Sequence, residues 1–354
     1  MSEPRVTIKD VAARAGVSRA AVSLAFNEKP GVSDATRARI LRAARSLGWQ
    51  PNRSARALAR QGVGAIGLAI RRPARQLGLE PFYMEFISGL ESVVSDHSGA
   101  LLLRLVKSVD EEIGLQSRWW RTGQIVGSVL VDFREHDPRG PVLARLGLPA
   151  VAVGHPSLTR PFPSLWTDDA TAVGEAVRYL AALGHTAIAR VGGAPELGHT
   201  AIRRAAFTAA MGELGLGAGQ QRDTDFSGES GARATRSLLT TVRRPTAVIY
   251  DNDLMAVAGL SVAAEMGLRV PADLSLLAWD DSQLCRLTHP ALSAMSHDIH
   301  AFGADVARTL YDILKGQRVT ARPVPTPTLT PRGSTAAPCA TGTARGRSDT
   351  PQCY

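Results

Sequence analysis

Short apolar runs alternate with amphipathic stretches over most of the chain. Eight runs of four to nine residues, rich in Val, Ile, Leu and Ala, have the length of buried strands. They are 63–70, 100–106, 125–133, 150–154, 187–192, 247–250, 274–279 and 292–297. Helix-period stretches lie between them, at 82–97, 169–183, 199–214, 253–266 and 299–315. Strands that alternate with helices predict an α/β fold with doubly wound, mostly parallel sheets.

The first 50 residues follow a different pattern, that of short helices joined by tight turns. The sequence 7–10 fits a capping box, Gly16 permits a left-handed turn, and Ser18 can cap a second helix. A third helix is expected from near Ser33 to Gly48. Two helices joined by a short glycine-containing turn predict a helix-turn-helix; the alternative is a small bundle with a solvated basic face.

Composition excludes several classes of protein. With 44% hydrophobic and 21% charged residues, the chain cannot be wholly disordered, and it has no apolar run long enough to cross a membrane. The polar start lacks the apolar segment of a signal peptide, so we expect a cytoplasmic protein. Three widely spaced cysteines exclude a disulfide scaffold, and the eight histidines show no metal-ligand spacing. We expect no metal and no cofactor.

The positive charge is concentrated at the N-terminus. Residues 1–62 hold 12 Lys and Arg against 4 Asp and Glu, a net charge of +8, whereas the whole chain has +9. A basic head on a nearly neutral body indicates an anionic partner, and double-stranded DNA is the leading candidate. In that interpretation Ser18, Arg19, Ala20 and Ser23 contact the major groove, and Arg19 is the candidate for a bidentate contact with guanine.

Residues 51–62 are predicted to form a hinge helix and linker. Asn52 can cap a helix of about two turns, which is marginal by itself in water. Arg53 and Arg56 suit phosphate contacts. Leu58 either packs on its own domain or enters the minor groove as a wedge between base steps.

The head resembles a known family. The segments VTIKDVAARAGVSRAAVSLAFN and PGVSDATRARILRAARSLGWQPNRSARALA are similar to the head of the lactose repressor family of bacterial regulators. The resemblance continues to about residue 335, at Pro81-Phe82, Leu183-Gly184-His185, Tyr250-Asp251-Asn252-Asp253, Trp279-Asp280-Asp281 and Arg332-Gly333-Ser334-Thr335.

The resemblance implies a homodimer, with a tetramer as the alternative, that binds a pseudo-palindromic operator in the nucleoid. The hinge helices would enter the minor groove with Leu58 of each subunit as the wedge. Thr7 and Leu24 join the candidate DNA contacts. The family often has a long polar residue where Leu24 stands, so base readout should depend more on Arg19 and on contacts with thymine methyl groups.

The family resemblance also divides the chain. It implies a helix-turn-helix head at 1–50, the hinge at 51–62, and a two-lobed body at 63–335 that is similar to periplasmic sugar-binding proteins. We expect the first lobe to contain 63–164 and a returning segment near 285–295, and the second lobe to contain 165–284 and 296–322. Residues 336–354 are small and polar and are predicted to be a disordered tail.

Candidate effector residues follow strands, because ligands of open α/β sheets bind beyond the carboxyl ends of the strands. Asp169, Asn252 and Asp280 could hold sugar hydroxyl groups, although Asp169 could simply cap a helix. Arg203 could donate in a bidentate manner, as it precedes Ala206-Phe207 where the family has an arginine three residues before Gly-Phe.

The remaining candidates are an alternative arginine and two aromatic residues. Arg204 is the alternative to Arg203. Phe82 and Trp279 could provide an apolar surface for a sugar ring, whereas the other interpretation of Trp279 is a core residue.

Together these features predict a sequence-specific transcriptional regulator, a repressor controlled by a small effector, with a sugar as the first choice. The main alternative is a constitutive architectural DNA-binding protein with a vestigial pocket. A sugar-processing enzyme is disfavoured because no nucleophile and base are paired. A secreted sugar receptor is disfavoured by the basic head and the absent signal segment.

Overall fold

A computed structural model describes residues 6–26, 30–49 and 64–339. The predicted hinge, with Asn52, Arg53, Arg56 and Leu58, lies outside the described residues, and so do residues 340–354. Within the described ranges no helix combines the length and the apolar character that a membrane span requires.

The head consists of three short helices whose ends are set by local hydrogen bonds. They are α1 (Ile8–Ala15), α2 (Arg19–Phe26) and α3 (Asp34–Ser46). The predicted capping box is present, since the backbone N–H of Thr7 donates to the Asp10 carboxylate at 2.7 Å. Gly16 ends α1 at φ 62°, in the left-handed region that favours glycine. A small core of Val11, Val22, Ile40 and alanines holds the three helices together.

The body contains helices and strands in alternation. The further helices are α4 (Ala74–Leu77), α5 (Pro81–Asp96), α6 (Val109–Thr122), α7 (Arg139–Arg145), α8 (Pro156–Thr159), α9 (Asp169–Ala182), α10 (Gly198–Glu213), α11 (Gly228–Leu239), α12 (Asp253–Glu265), α13 (Gln283–Leu287) and α14 (Ile299–Leu314). The strands are β1 (Ala65–Ile70), β2 (Ala100–Leu105), β3 (Ile125–Leu130), β4 (Ala150–Val153), β5 (Ser164–Trp166), β6 (Ile188–Gly192), β7 (Gln220–Asp223), β8 (Ala247–Tyr250), β9 (Ser275–Asp280), β10 (Ser293–Ser296), β11 (Arg322–Pro323) and β12 (Thr328–Thr330).

Two sheets form the two lobes of the body. The first has the strand order β11-β5-β4-β3-β1-β2, and every pairing in it is parallel. The second has the order β12-β10-β9-β8-β6-β7, and only the edge strand β12 is antiparallel. The predicted α/β class with parallel sheets is therefore confirmed.

The chain divides into two compact units, each built around one sheet. The first unit comprises Met1–Asp169, Ala194–Arg203 and His297–Pro327. The second comprises Ala170–Gly193, Arg204–Ser296 and Thr328–Tyr354.

The predicted assignment of the last segments to the lobes is wrong. We expected 285–295 in the first lobe and 296–322 in the second, whereas the structure places Arg204–Ser296 in the second unit and His297–Pro327 in the first. Strand β10 pairs in register with β9, which keeps it in the second sheet. Helix α14 packs on α5 in the core of the first unit, where Phe302 and Leu310 lie in one apolar cluster with Phe86.

Helices α5 and α14 approach each other closely because each has a glycine at the crossing. A Cβ on Gly89 would lie 2.0 Å from the His300 carbonyl oxygen, and a Cβ on Gly303 would lie 2.2 Å from the Phe86 carbonyl oxygen. Both distances are too short for any side chain, so the crossing requires glycine at both positions.

The second unit holds the start of the predicted tail. The backbone N–H of Ala336 donates to the Ser275 hydroxyl at 3.1 Å, and the Ala336 carbonyl lies 2.9 Å from Nε2 of buried His185. These contacts with the second unit extend one residue past Thr335, the predicted end of the body.

The sequence pattern missed several elements. Strand β7, with the sequence QQRD, is an edge strand whose residues are half-buried or exposed, so it has no apolar run. Strands β5, β11 and β12 have only two or three residues. Helices α6 and α11 were not predicted, although Ser108 and Ser227 provide their N-terminal caps.

We expect Gly89→Ala to destabilise the first unit, because the new methyl group would overlap the α14 backbone. Overpacking of this kind costs roughly 1–3 kcal/mol. The midpoint of urea unfolding measures the loss. Gly114→Ala in α6 is the matched control, since nothing lies within 4 Å of the added Cβ and alanine favours a helix. Similar effects of the two substitutions would contradict the close crossing.

Candidate functional site

The N-terminus of α2 is presented to solvent. The Ser18 hydroxyl accepts the Ala21 N–H at 3.2 Å, which fixes the start of the helix. Ser18, Arg19 and Ala20 are exposed, whereas Val22 on the opposite side is fully buried. This is the geometry that a helix entering a DNA groove requires, with a rigid inner side and a free N-terminal end.

The other candidate DNA contacts of the described head are less accessible or already hydrogen-bonded. Thr7 is exposed, but its hydroxyl lies 2.7 Å from the Asp10 carboxylate in the capping box. Ser23 and Leu24 are half-buried, and Leu24 lies beside Gly31. A DNA contact at these three positions stays a prediction, as it does for the hinge residues outside the described ranges.

In the second unit, two candidate effector residues meet at the carboxyl ends of neighbouring strands. Asp280 is the last residue of β9 and has φ 78°, and Asn252 follows β8. Asp253, the first residue of α12, is almost fully buried and hydrogen-bonds to Ser282. Burial and the nearby Asp280 carboxylate raise the pKa of Asp253 to about 6. The strand order therefore brings Asn252 and Asp280 to one edge of the sheet.

Asn252 has a structural task as well. Its side-chain oxygen accepts the Met255 N–H at 2.9 Å and caps α12, and its amide donates to the Phe226 carbonyl at 3.0 Å. Both hydrogen bonds fix the amide, so Asn252 can offer a ligand only its remaining donor and acceptor capacity.

The aromatic residue at this edge is one that the sequence interpretation missed. Phe226 follows β7 with φ 69°, and its ring packs on Gly193, where a Cβ would lie 1.8 Å from it. Trp279 instead points into the apolar core of the second unit and is fully buried with Leu277, Met295 and Phe207. The core interpretation of Trp279 is thus the one that fits, and the stacking role is wrong.

A buried ion pair of Arg190 with Asp251, the residue before Asn252, lies in the second unit. Nε of Arg190 in β6 donates to Asp251 at 2.8 Å, and the second guanidinium nitrogen contacts the other carboxylate oxygen. The Gly193 N–H also donates to Asp251, at 3.2 Å. Arg190 is fully buried and Asp251 nearly so. The pair therefore ties β6 to β8 at the edge that holds the candidate effector residues.

In the first unit, Asp169 and Arg203 form an ion pair of 3.2 Å. Asp169 is the first residue of α9 and also accepts from the Thr167 hydroxyl at 3.1 Å. It thus occupies the first turn of the helix, where a carboxylate is favourable, and contacts Arg203 at the same time. Arg204, the alternative, belongs to the second unit and pairs with Asp223.

A second polar cluster of the first unit was also missed. Arg72 follows β1 and lies 2.7 Å from Asp132, which follows β3. The Tyr83 hydroxyl donates to the same carboxylate at 2.8 Å, and Glu80 lies 3.4 Å from Arg72. Burial, reinforced by Asp132, raises the pKa of Glu80 to about 7. The rule that site residues follow strands would have found Arg72 and Asp132.

Phe82 lies beside this cluster at the start of α5. Its ring stacks on Phe86 with 5.9 Å between centroids and meets Tyr83 edge to face at 5.5 Å. It is half-buried, so part of the ring is available for an apolar contact. Among the described residues no group of three or more His, Cys, Asp or Glu side chains is arranged to hold a metal ion.

Comparisons with known proteins agree with this architecture. A family model described as bacterial regulatory proteins, lacI family, matches residues 7–52, and one described as a periplasmic binding protein-like domain matches residues 177–335. The HTH-type transcriptional regulator CelR of Thermobifida fusca is 31% identical over 330 residues, which cover 90% of this chain and 94% of that protein.

Two solved structures are similar over nearly the whole chain. A complex of the transcriptional regulator CelR with cellobiose has a TM-score of 0.71 and 27% identity, and covers 93% of this chain and 100% of the other. The lac repressor dimer bound to operator and the anti-inducer ONPF has a TM-score of 0.70 and 26% identity, with 94% and 100% covered.

We expect Asp251→Ala to lower the free energy of unfolding by roughly 3–5 kcal/mol, because it leaves the Arg190 guanidinium buried without its carboxylate. Urea unfolding measures the loss. The control is Glu229→Ala, which breaks the exposed ion pair with Arg233 and should cost about 1 kcal/mol or less. The double variant Arg190→Met/Asp251→Leu should recover most of the loss, and no recovery would contradict a pairwise interaction.

Proposed function

Because this chain belongs to the LacI family of bacterial regulatory proteins, we propose that it is a repressor whose affinity for a specific operator is controlled by a sugar or sugar derivative. The chain is a DNA-binding regulator of transcription and not an enzyme, in keeping with the named regulators that it matches over most of its length.

The exposed N-terminus of α2 carries the DNA-binding part of the proposal. Arg19 lies at its first position, and a guanidinium there can form two hydrogen bonds with the major-groove edge of guanine. The net charge of +8 in residues 1–62 supports a phosphate-rich partner. Ser18 and Ala20 would lie on either side of that contact.

We propose a homodimer on a pseudo-palindromic operator. Two identical heads related by a two-fold axis would read two half-sites of inverted sequence. The similarity to the lac repressor dimer bound to operator supports this arrangement. In this proposal Arg53 and Arg56 of the hinge contact phosphates and Leu58 enters the minor groove.

The proposed effector residues combine the chemistry that a sugar needs. Asp280 and Asn252 offer planar polar groups and Phe226 an apolar ring at one edge of the second sheet. In the first unit Asp169 and Arg203 provide a second polar pair. The complex of the similar regulator CelR with cellobiose supports a carbohydrate as the first class of effector to test.

Effector and operator must then influence each other equally. If the effector weakens operator binding, operator must weaken effector binding by the same factor, since both bind one protein. Couplings of this kind are on the order of 1–3 kcal/mol. Effector and operator titrations, each in the presence of the other ligand, measure both directions.

Arg19→Ala should weaken binding to the best operator by roughly 1–3 kcal/mol and relax base preference at one position of each half-site. Selection of binding sites from random DNA, followed by titrations at fixed salt, measures both effects. Arg14→Ala, which removes another exposed charge of the head, is the control and should not change base preference. Equal loss on every DNA sequence would make Arg19 a phosphate contact.

Asp280→Asn should abolish the response to effector while operator affinity of the unliganded protein stays within about twofold. Asparagine keeps the positive φ of this position, so the backbone is preserved. Asp96→Asn, at the exposed end of α5, is the control. A screen against sugars and nucleosides that finds no molecule able to shift operator affinity would favour the constitutive alternative.

A further inference from the structure

Arg71 is a half-buried arginine of the first unit whose guanidinium has no carboxylate partner among the described residues. It follows β1 directly, at the carboxyl edge of the sheet, next to Arg72. Both terminal nitrogens of its guanidinium are buried and make no hydrogen bond with any residue that the structure describes. Buried donors without a partner cost free energy, and more so when the group is charged.

The carboxylates near Arg71 are already engaged by other arginines. Asp132 is paired with Arg72 at 2.7 Å, and Glu112 is paired with Arg139 at 2.7 Å. Each of these carboxylates is held at hydrogen-bond distance by that arginine, while Arg72 also contacts Glu80 and Arg139 also contacts Asp137. Arg71 therefore has negative charge in its surroundings but no carboxylate of its own.

A further cation increases this imbalance. Burial, together with repulsion from Arg134, which follows β3, lowers the pKa of Arg71. Nε of Arg134 is also buried without a hydrogen bond, and its Nη2 lies only loosely, at 3.5 Å, from Glu196. Two neighbouring guanidinium groups with unused donors are suited to an oxyanion, which accepts several hydrogen bonds in a bidentate manner.

We propose that Arg71 and Arg134 bind an oxyanion group of the effector, a carboxylate or a phosphate, so that the effector is an acidic sugar derivative. This inference rests on the proposed function, because it assigns the ligand class of the same regulator. A neutral sugar would satisfy the donors but leave the charge uncompensated. An oxyanion accepts these hydrogen bonds and also compensates the positive charge, so it is the preferred ligand group.

The first test needs no knowledge of the effector. Inorganic phosphate, compared with chloride at equal ionic strength, should raise the melting temperature of the full-length protein, since a ligand of the native state stabilises it. Arg71→Gln should remove this response and should not lower the melting temperature without phosphate. The control is Arg75→Gln, an exposed arginine of α4 with the same change in charge. An equal phosphate response in wild type and Arg71→Gln overturns the proposal.

The second test uses matched sets of one sugar as the neutral hexose, its 6-phosphate and its uronate. Calorimetry should find at least one acidic member that binds the wild type on the order of tenfold or more tightly than its neutral parent. In Arg71→Gln this ratio should fall to near one. Comparison of the 6-phosphate with the uronate shows whether the oxyanion is a phosphate or a carboxylate. Tighter binding of either derivative than of the neutral hexose supports the proposal.

Operator binding separates failure of this inference from failure of the proposed function. If a neutral sugar releases or strengthens operator binding and its acidic derivatives do not, the regulator is effector-controlled and the oxyanion site is wrong. If an acidic sugar binds through Arg71 without any change in operator affinity, the oxyanion site stands and control by effector is wrong.

Discussion

Parallel strand pairing is the constraint on which the body of this protein depends. Within each sheet the parallel strands must run the same way, so the chain returns through a helix and every such strand ends at the same edge. Polar residues that follow strands are thereby collected without any need for sequence proximity. In this way Asn252 and Asp280 come to one edge of the second sheet, and Arg72 and Asp132 form an ion pair at the corresponding edge of the first.

Features set by local interactions could be predicted from the sequence. Thr7, Gly16 and Ser33 fix helix ends through hydrogen bonds and dihedral angles within a few residues, and all three behave as expected. Strands fully buried in a parallel sheet are apolar on both faces, which makes them visible as runs. The polar edge strand β7 lacks that signal, because one of its sides has no neighbouring strand.

Features set by distant partners could not be predicted. The side chain of Arg72 pairs with one that lies 60 positions away, and that of Arg190 with one 61 positions away. No local pattern marks such a pair, and a single arginine in an apolar strand gives no indication of its partner. The exchange of 285–295 and 296–322 between the units has the same cause, since strand pairing decides which sheet a segment joins.

The backbone of Asp280 restricts how the ligand preference of such a protein can change. At φ 78° a residue with a branched or bulky side chain is strained, so glycine fits best, and asparagine and aspartate are the side chains that tolerate the position most easily. Substitution among these three amino acids at position 280 changes charge and hydrogen bonding. None of them has a side chain long enough to reach a smaller effector. Adaptation to an effector of different size would therefore have to proceed through residues with ordinary backbone angles, while position 280 varies only in its charge and hydrogen bonding.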